Sequence, residues 1–472
     1  MDTGPRGDDR RLLTAAEHLL GQVAALTGPS GKDVVDDLRR VLQRPPVVAL
    51  AGRVNTGKST LVNSLIGARL APTSAEETTA LLSLYMYGAP ARAEALLERG
   101  QAVDIPLSAS GPSLGSISLD TVNYLLVFLQ SAVLRRFAIL DTPGLGSAAT
   151  ANSRRTEVDL LAGSTTAASP DVLVYVVKDK FRPDDEEFVR SFISSRRSSM
   201  PSPPVIGALS HADKFGAGPW GATDPVEEAR ATASALAAAH SQLTAVVPVS
   251  GLLAETVRTG RLQEADVRAL RVLKDVPNDS IQFADILGLP EGISRGQYQR
   301  LEDLIGAYGI MFGRNHSHSS PELVHWLWER SGLARLEEAL TVAVSGAAER
   351  SRVLTVLSGL ARAARSRSWS SDTRKLIEAA RHAPEFHRLN ESAALDVLRQ
   401  AAPQHGLVAV LEELIADKNW PTALTPDEDE PAEYLRLAAH YQAMAASAST
   451  GAEAQAARVL CRSLLIHSRL EG

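Results

Sequence analysis

One cysteine, Cys461, stands in 472 residues. No disulfide can close within one copy of the chain, and a reducing cytoplasm fits such usage. Aromatic residues are only 5% of the chain; Ala, Leu and Arg dominate instead and favour helices. No apolar run approaches the roughly 20 residues of a bilayer span. Integral insertion is therefore not expected, while attachment at a membrane surface stays open. The first ten residues are polar and lack the apolar core of a signal peptide. A net charge of −6 offers no global basic field, so no nucleic-acid partner is expected. What is present is an ordinary globular mixture, 44% hydrophobic and 22% charged, long enough for two or three domains.

The most informative segment is Gly52-Arg-Val-Asn-Thr-Gly-Lys-Ser59. It fits G-x-x-x-x-G-K-[ST], a loop whose backbone N–H groups cradle phosphates. Pro46-Val-Val-Ala-Leu-Ala51 before it reads as a buried strand, and residues 60–66 after it are apolar at helical spacing. Strand, glycine loop and helix N-terminus together face an anion. Gly52, Thr56, Gly57 and Thr60 belong to the cradle, Lys58 is placed to reach the β- and γ-phosphates, and Ser59 to ligate Mg²⁺.

Around this loop the pattern predicts an α/β head. Strands are expected at 46–51, 81–87, 124–129, 137–140, 172–177, 205–209 and 245–249, and helices at 58–67, 154–163, 184–195 and 224–242. Such alternation predicts a mostly parallel sheet with helices on both faces. Residues 88–136 read as extra strands and loops inserted in the sheet. Tyr308-Gly-Ile-Met-Phe312 reads as one further strand, and 321–330 as a helix. Ser331 reads as the N-cap of a long helix from Leu333 to about Arg365. The tail is helical, with breaks near 367–371, Pro403 and 420–431. An amphipathic stripe over 11–43 precedes the first strand and is expected to pack on another helical element. The resulting division is 1–45 helical, 46–335 nucleotide-binding head, and 336–472 all-α.

Further motifs follow in order. Asp141-Thr-Pro-Gly144 closes the strand 137–140; its Asp can hold Mg²⁺ through water and its Gly144 N–H can meet the γ-phosphate. Ser210-His-Ala-Asp213 closes the strand 205–209, and Asp213 can accept both N1–H and N2–H of guanine, which adenine cannot offer. His211 and Ser210 stand where [Asn/Thr]-Lys-x-Asp is usual; an imidazole can replace the lysine stem by stacking on the base. Val249-Ser250-Gly-Leu252 is placed to contact the purine. In the switch segment 71–80, Thr79 is the expected Mg²⁺-binding threonine, with Thr78 its alternative. Leu145 follows the Asp-Thr-Pro-Gly turn, so no glutamine there can orient water. Asn55 and Thr56, with Lys58, are left to neutralise developing charge, unless a second subunit does so.

These residues together resemble the bacterial dynamin-like proteins, and among them the isoniazid-inducible dynamin-like proteins of actinobacteria. The likeness runs through 52–65, 72–79, 141–144, 210–213, 246–254 and 329–336, covers the chain to about residue 350, and continues only as a helical tail of similar extent. It implies a GTPase head on a helical neck and trunk, with the N-terminal helices joining the neck. It implies GTP, GDP and Mg²⁺ as ligands, dimerisation through the heads, a paralogous dynamin-like partner, and remodelling of membranes by a cytoplasmic, peripherally attached protein. The expected membrane tip is 362–375, with five basic residues and Trp369 as an interfacial anchor. Other readings are a ribosome- or RNA-associated assembly GTPase and a slow GTP-gated scaffold. His316 and His318 read as a polar loop, Cys461 as a small core residue, and Trp326 and Trp328 as packing.

Overall fold

The computed structural model describes residues 7–71, 81–97, 100–144, 170–195, 203–380, 382–416 and 431–468. The chain divides into two compact units. One comprises 45–195 and 203–344; the other comprises 1–44, 196–202 and 345–472.

In chain order, α1 (Gly7–Thr27) and α2 (Lys32–Gln43) come first. The sheet unit then begins with β1 (Val47–Gly52), α3 (Lys58–Ile66), β2 (Leu82–Tyr87), β3 (Arg92–Leu97), β4 (Ala102–Ile105), β5 (Leu107–Ser108), β6 (Gly111–Pro112), β7 (Val122–Leu129) and β8 (Ala138–Asp141). It continues with β9 (Val172–Val177), α4 (Pro183–Ser195), β10 (Val205–Leu209), α5 (Pro225–Ala239), β11 (Ala245–Pro248), α6 (Gly251–Arg258) and α7 (Glu264–Val272). Two short turns, Asn278–Gln282 and Ala284–Leu287, lead to α8 (Arg295–Gly313), α9 (Ser320–Ser331) and α10 (Leu333–Ala343).

The nine-stranded sheet has the order β11-β10-β9-β1-β8-β2-β7-β3-β4. The pairs β11/β10, β10/β9, β9/β1, β1/β8 and β2/β7 are parallel; β8/β2, β7/β3 and β3/β4 are antiparallel. The sheet is thus mostly parallel. Every residue of β1, β9 and β10 is buried, which explains their unbroken apolar runs. The insertion at 88–136 supplies β3, β4 and β7 and widens the sheet on one side only. The phosphate-loop strand therefore stays central, with motif-bearing strands on both sides of it.

Two expectations fail here. Tyr308-Gly-Ile-Met-Phe312 is not a strand but the end of α8. A five-residue apolar run does not distinguish a strand from a buried helix face. Tyr308, Ile310 and Met311 are buried, and Tyr308 stacks on Phe312 and Trp326. Ser331 is the last residue of α9 rather than an N-cap; Gly332, at φ +73°, ends α9 and opens α10. The single helix expected over 333–365 is interrupted by a π-helical segment, Val344–Ala348.

The second unit holds α1, α2, α11 (Glu349–Ser366), α12 (Ser371–Ala380), α13 (His387–Ala401), α14 (Gly406–Ala416), α15 (Pro431–Ser447) and α16 (Gly451–His467). It has two cores. One joins Leu12, Leu20, Val35 and Leu38 to Val353, Leu360 and Ile377; the other joins Leu398, Leu411, Tyr434 and Leu460. The amphipathic stripe at 11–43 does pack on another helical element. Trp369 corrects the membrane-tip expectation: it is 5% exposed and belongs to the first core. A large indole gains more by burial among leucines than at a wet tip. Beside it Arg367 donates to Asp33, with Nη2 2.6 Å from Oδ2, so part of the basic run is neutralised. Breaks fall at 367–370 and around Pro403; the helix expected at 154–163 lies outside the described residues, as does the break expected at 420–431 except for Pro431, which opens α15.

Candidate nucleotide site

Four loops meet at the C-terminal ends of β1, β8, β10 and β11, where open α/β sheets bind ligands. In the first, Asn55 adopts φ +62° and Gly57 φ +81°, turning the chain sharply into α3. Gly52 needs its missing side chain, because a Cβ would lie 2.5 Å from the Val176 carbonyl. Thr56 Oγ1 donates to the Arg53 carbonyl at 2.9 Å and stiffens the turn. Gly57 caps α3 without a side-chain acceptor, and no acid occupies the first turn. The first-turn amides and the helix dipole are left for an external anion, which fits a phosphate group.

Lys58 Nζ lies 3.1 Å from Asp141 Oδ1, and both side chains are about 90% buried. That oxygen takes no hydrogen bond among the described residues; its contact with Lys58 is electrostatic. A buried cation and an under-coordinated carboxylate face each other across the cradle. Their chemistry suits a phosphate and a divalent ion. Ser59 is half-buried at the start of α3. Thr142 Oγ1 donates to the Leu50 carbonyl at 2.9 Å and fixes the Asp141 strand end against β1. Gly144 sits against Val54, where a Cβ would come 2.6 Å from Val54 Cγ2.

The base side is built by β10 and β11. Ser210 donates through N and Oγ to the Val177 carbonyl, at 2.7 and 2.9 Å, so it stitches β10 to β9. His211 stands at φ +55° beside the phosphate loop, its Nε2 3.4 Å from the position of a Gly57 Cβ and without a hydrogen-bond partner among the described residues. Burial holds its imidazole below the ordinary value, while Asp213 pulls it upward. Asp213 is buried in the turn Ala212–Lys214. Ser250 is fully buried and its Oγ accepts from Leu253 N as N-cap of α6. Val249 O accepts from Ala212 N at 3.2 Å, tying the two base loops together. Thr60 packs through Cγ2 on Gly251 and braces the same loop.

Gly52, Asn55, Thr56, Gly57, Lys58, Ser59, Thr60, Asp141, Gly144, His211, Asp213 and Ser250 thus lie on strand ends, the loops that follow them and the first turn of α3, at one end of the sheet. Thr78, Thr79 and Leu145 lie outside the described residues.

Two supporting groups escaped sequence reasoning. Arg53, inside the phosphate loop, donates from Nε to Asp185 and from Nη2 to Asp184, both at 2.9 Å. Asp185 also accepts from Tyr175 Oη at 2.7 Å and from Arg182 N at 2.9 Å. Asn63 accepts from Leu70 N and Ala71 N and donates to the Ala71 carbonyl, anchoring the start of the switch segment. The only local signal was a polar residue on the buried face of α3. His316 and His318 are closer to a carboxylate than their sequence suggested, both within 3.7 Å of Glu322.

The phosphate loop, the Asp141 strand end and the Asp213 turn are arranged in the order and places of a P-loop GTPase site. A family model described as a 50S ribosome-binding GTPase matches residues 47–201, about a third of the chain. The isoniazid-induced protein IniC of Mycobacterium tuberculosis is 30% identical over 295 residues, 59% of this chain and 58% of its own length. The isoniazid-induced protein IniA of the same organism is 32% identical over 162 residues, 31% of this chain and 25% of its own. By these matches the chain is similar to bacterial dynamin-like GTPases of the isoniazid-induced type. It spans little more than half the length of the curated relatives it matches. Among solved structures, LeoA, a bacterial dynamin GTPase from ETEC, overlaps with TM-score 0.35 and 12% identity, covering 93% of this chain and 56% of that one. A structure of an oligomerised bacterial dynamin pair overlaps with TM-score 0.33 and 12% identity, covering 100% of this chain and 76% of that one. Overlaps that low add nothing about activity.

Proposed function

We propose that the head binds GTP, hydrolyses it to GDP and phosphate, and couples turnover to head dimerisation and to remodelling of an anionic membrane surface. The observation that carries the nucleotide part is the convergence of Lys58, Asp141 and Asp213 on neighbouring loops at one end of the sheet. In this reading residues 46–335 are the head, 1–45 joins the neck, and 336–472 form neck and trunk. Lys58 and the α3 amides hold the phosphates, with Asn55 and Thr56 beside them. Asp213 reads the base, His211 covers it, and Ser250 lines it. Ser59, Thr79 and, through water, Asp141 would hold Mg²⁺. Bound there, the ion supplies charge neutralisation at the β- and γ-phosphate oxygens. Membrane attachment in this reading is peripheral; no helix among the described residues is long and apolar enough to cross a bilayer. The burial of Trp369 moves that attachment away from the indole and onto other exposed residues of the helical unit.

The assembly-GTPase reading draws on the ribosome-binding description of the matched family. That match ends within the nucleotide-binding half, which such GTPases share, and the net charge of −6 supplies no RNA-binding field. The test is GTP turnover and co-sedimentation with anionic liposomes, with and without a non-hydrolysable GTP analogue. Turnover together with nucleotide-dependent sedimentation supports the proposal. Sedimentation without turnover leaves a GTP-gated scaffold. Absence of liposome binding in every nucleotide state removes the membrane part.

A further inference from the structure

We infer that Gly332, remote in sequence from every nucleotide motif, is a positioning residue for the base-binding loop. The inference rests on the guanine-pocket reading above. Gly332 lies at φ +73°, and a Cβ there would stand 2.1 Å from the Pro248 carbonyl oxygen and 3.5 Å from Val249 Cα. Contact that close with backbone is possible only for glycine. One residue earlier, the Ser331 carbonyl accepts from Ser250 N at 2.9 Å. Ser331 and Ser250 are both fully buried. The α9–α10 corner therefore sits directly on the loop that carries Ser250.

Neither side of the contact can retreat. Leu333, Leu336 and Leu340 of α10 are fully buried, and α10 packs on β10 and β11. Pro248 is paired with Leu209 in the sheet, and Val249 N donates to the Leu209 carbonyl at 2.8 Å. A side chain at 332 must push the loop 248–250. That push passes through Val249 O to Ala212 N, the residue between His211 and Asp213. It also passes through Gly251, where a Cβ would lie 3.2 Å from Thr60 Cγ2, to the first turn of α3. Base reading and phosphate cradle thus share one external brace.

The chain contains its own control. Gly260 has nearly the same φ, +63°, but a Cβ there meets nothing among the described residues within 4 Å. Gly260→Ala carries the left-handed strain without the collision. The experiment is fluorescent GDP binding by the full chain, with unlabelled GDP, IDP and ADP as competitors. Gly332→Ala is expected to weaken GDP at least tenfold and to narrow the preference for GDP over ADP; Gly260→Ala leaves both as in wild type. Equal behaviour of the two variants, whether both weakened or both unchanged, overturns the inference. A second arm needs no variant. Adding GDP to wild type should slow amide hydrogen exchange at 330–336 along with 248–253. Protection at 248–253 without protection at 330–336 overturns the brace and leaves the pocket standing. Failure of GDP to bind wild type at all overturns the pocket itself.

Discussion

Lys58 and Asp141 form a buried ion pair across the phosphate cradle, Nζ to Oδ1 3.1 Å. The pair pre-places a cation where a triphosphate would arrive, and it keeps two charges neutral before ligand comes. Removing Lys58 leaves Asp141 as an uncompensated buried carboxylate, which typically costs about 3–5 kcal/mol. Lys58→Ala should abolish GTP turnover and lower stability to denaturant. Adding Asp141→Asn should recover much of the lost stability and none of the turnover. Turnover retained in Lys58→Ala would remove that residue from the site.

Asp213 is buried in the turn after β10, and an ionised carboxylate carries two oxygens that can act as paired acceptors. Asp213→Asn replaces one acceptor by a donor, which suits the C2 carbonyl of xanthine and opposes the C2 amine of guanine. Two charge-assisted bonds at about 1.5–3 kcal/mol each are at stake. GTP affinity should fall by about a hundredfold or more, with xanthosine triphosphate gaining. Competition binding with both nucleotides checks this, and unchanged GTP affinity would exclude Asp213 from base recognition.

The sheet was legible because its central strands are unbroken apolar runs closed by motif loops: 172–177 and 205–209 carry side chains buried on both faces. The candidate site was legible for the same reason, since each motif follows its strand directly. What stayed hidden depends on contacts distant along the chain. Arg53 meets Asp185 132 residues away, and Gly332 meets Pro248 through a missing side chain. Trp369 misled because a basic run with one indole reads the same whether the ring faces water or a core. Tyr308–Phe312 misled because aromatic and β-branched residues also fill buried helix faces.

Asp184 and Asp185 offer a comparison that separates a buried anchor from a surface pair. Both accept from Arg53 at 2.9 Å, but Asp184 is 82% exposed and Asp185 4%. Asp185 serves three donors: Arg53, Tyr175 and Arg182 N. Asp185→Ala strands those donors and should cost about 3 kcal/mol. Asp184→Ala should cost under about 1 kcal/mol. Because Arg53 lies in the phosphate loop, Asp185→Ala should also weaken GTP binding while Asp184→Ala does not. Chemical denaturation and nucleotide titration of the two variants check both parts, and equal costs would show that the pairing with Arg53 alone sets the effect.

The helical unit carries an acid-sensitive point at His387. Its Nε2 lies 3.1 Å from Ser463 Oγ and 3.3 Å from the Val459 carbonyl, and Ser463 Oγ donates to Glu391 at 2.7 Å. With the serine proton given to Glu391, an Nε2–H tautomer can donate to Ser463 Oγ or the Val459 carbonyl, and the buried Nδ1 has no hydrogen-bond partner among the described residues. Although Glu391 Oε1, 3.8 Å from Nε2, favours the charged ring, a proton at Nδ1 would find no acceptor among the described residues. Burial accordingly pushes the imidazole down from 6.5 to about 4, with Arg462 adding in the same direction and the Val459 carbonyl opposing. The unfolded chain therefore binds this proton first as pH falls. Stability should be intact above pH 6.5, should decline through the window down to about 4, and should be lower by about 3 kcal/mol at its end. His387→Gln, which cannot titrate, should flatten that slope. Denaturant melts of the full chain between pH 7 and 4 measure it, and the same acid slope in His387→Gln would assign the effect to other groups.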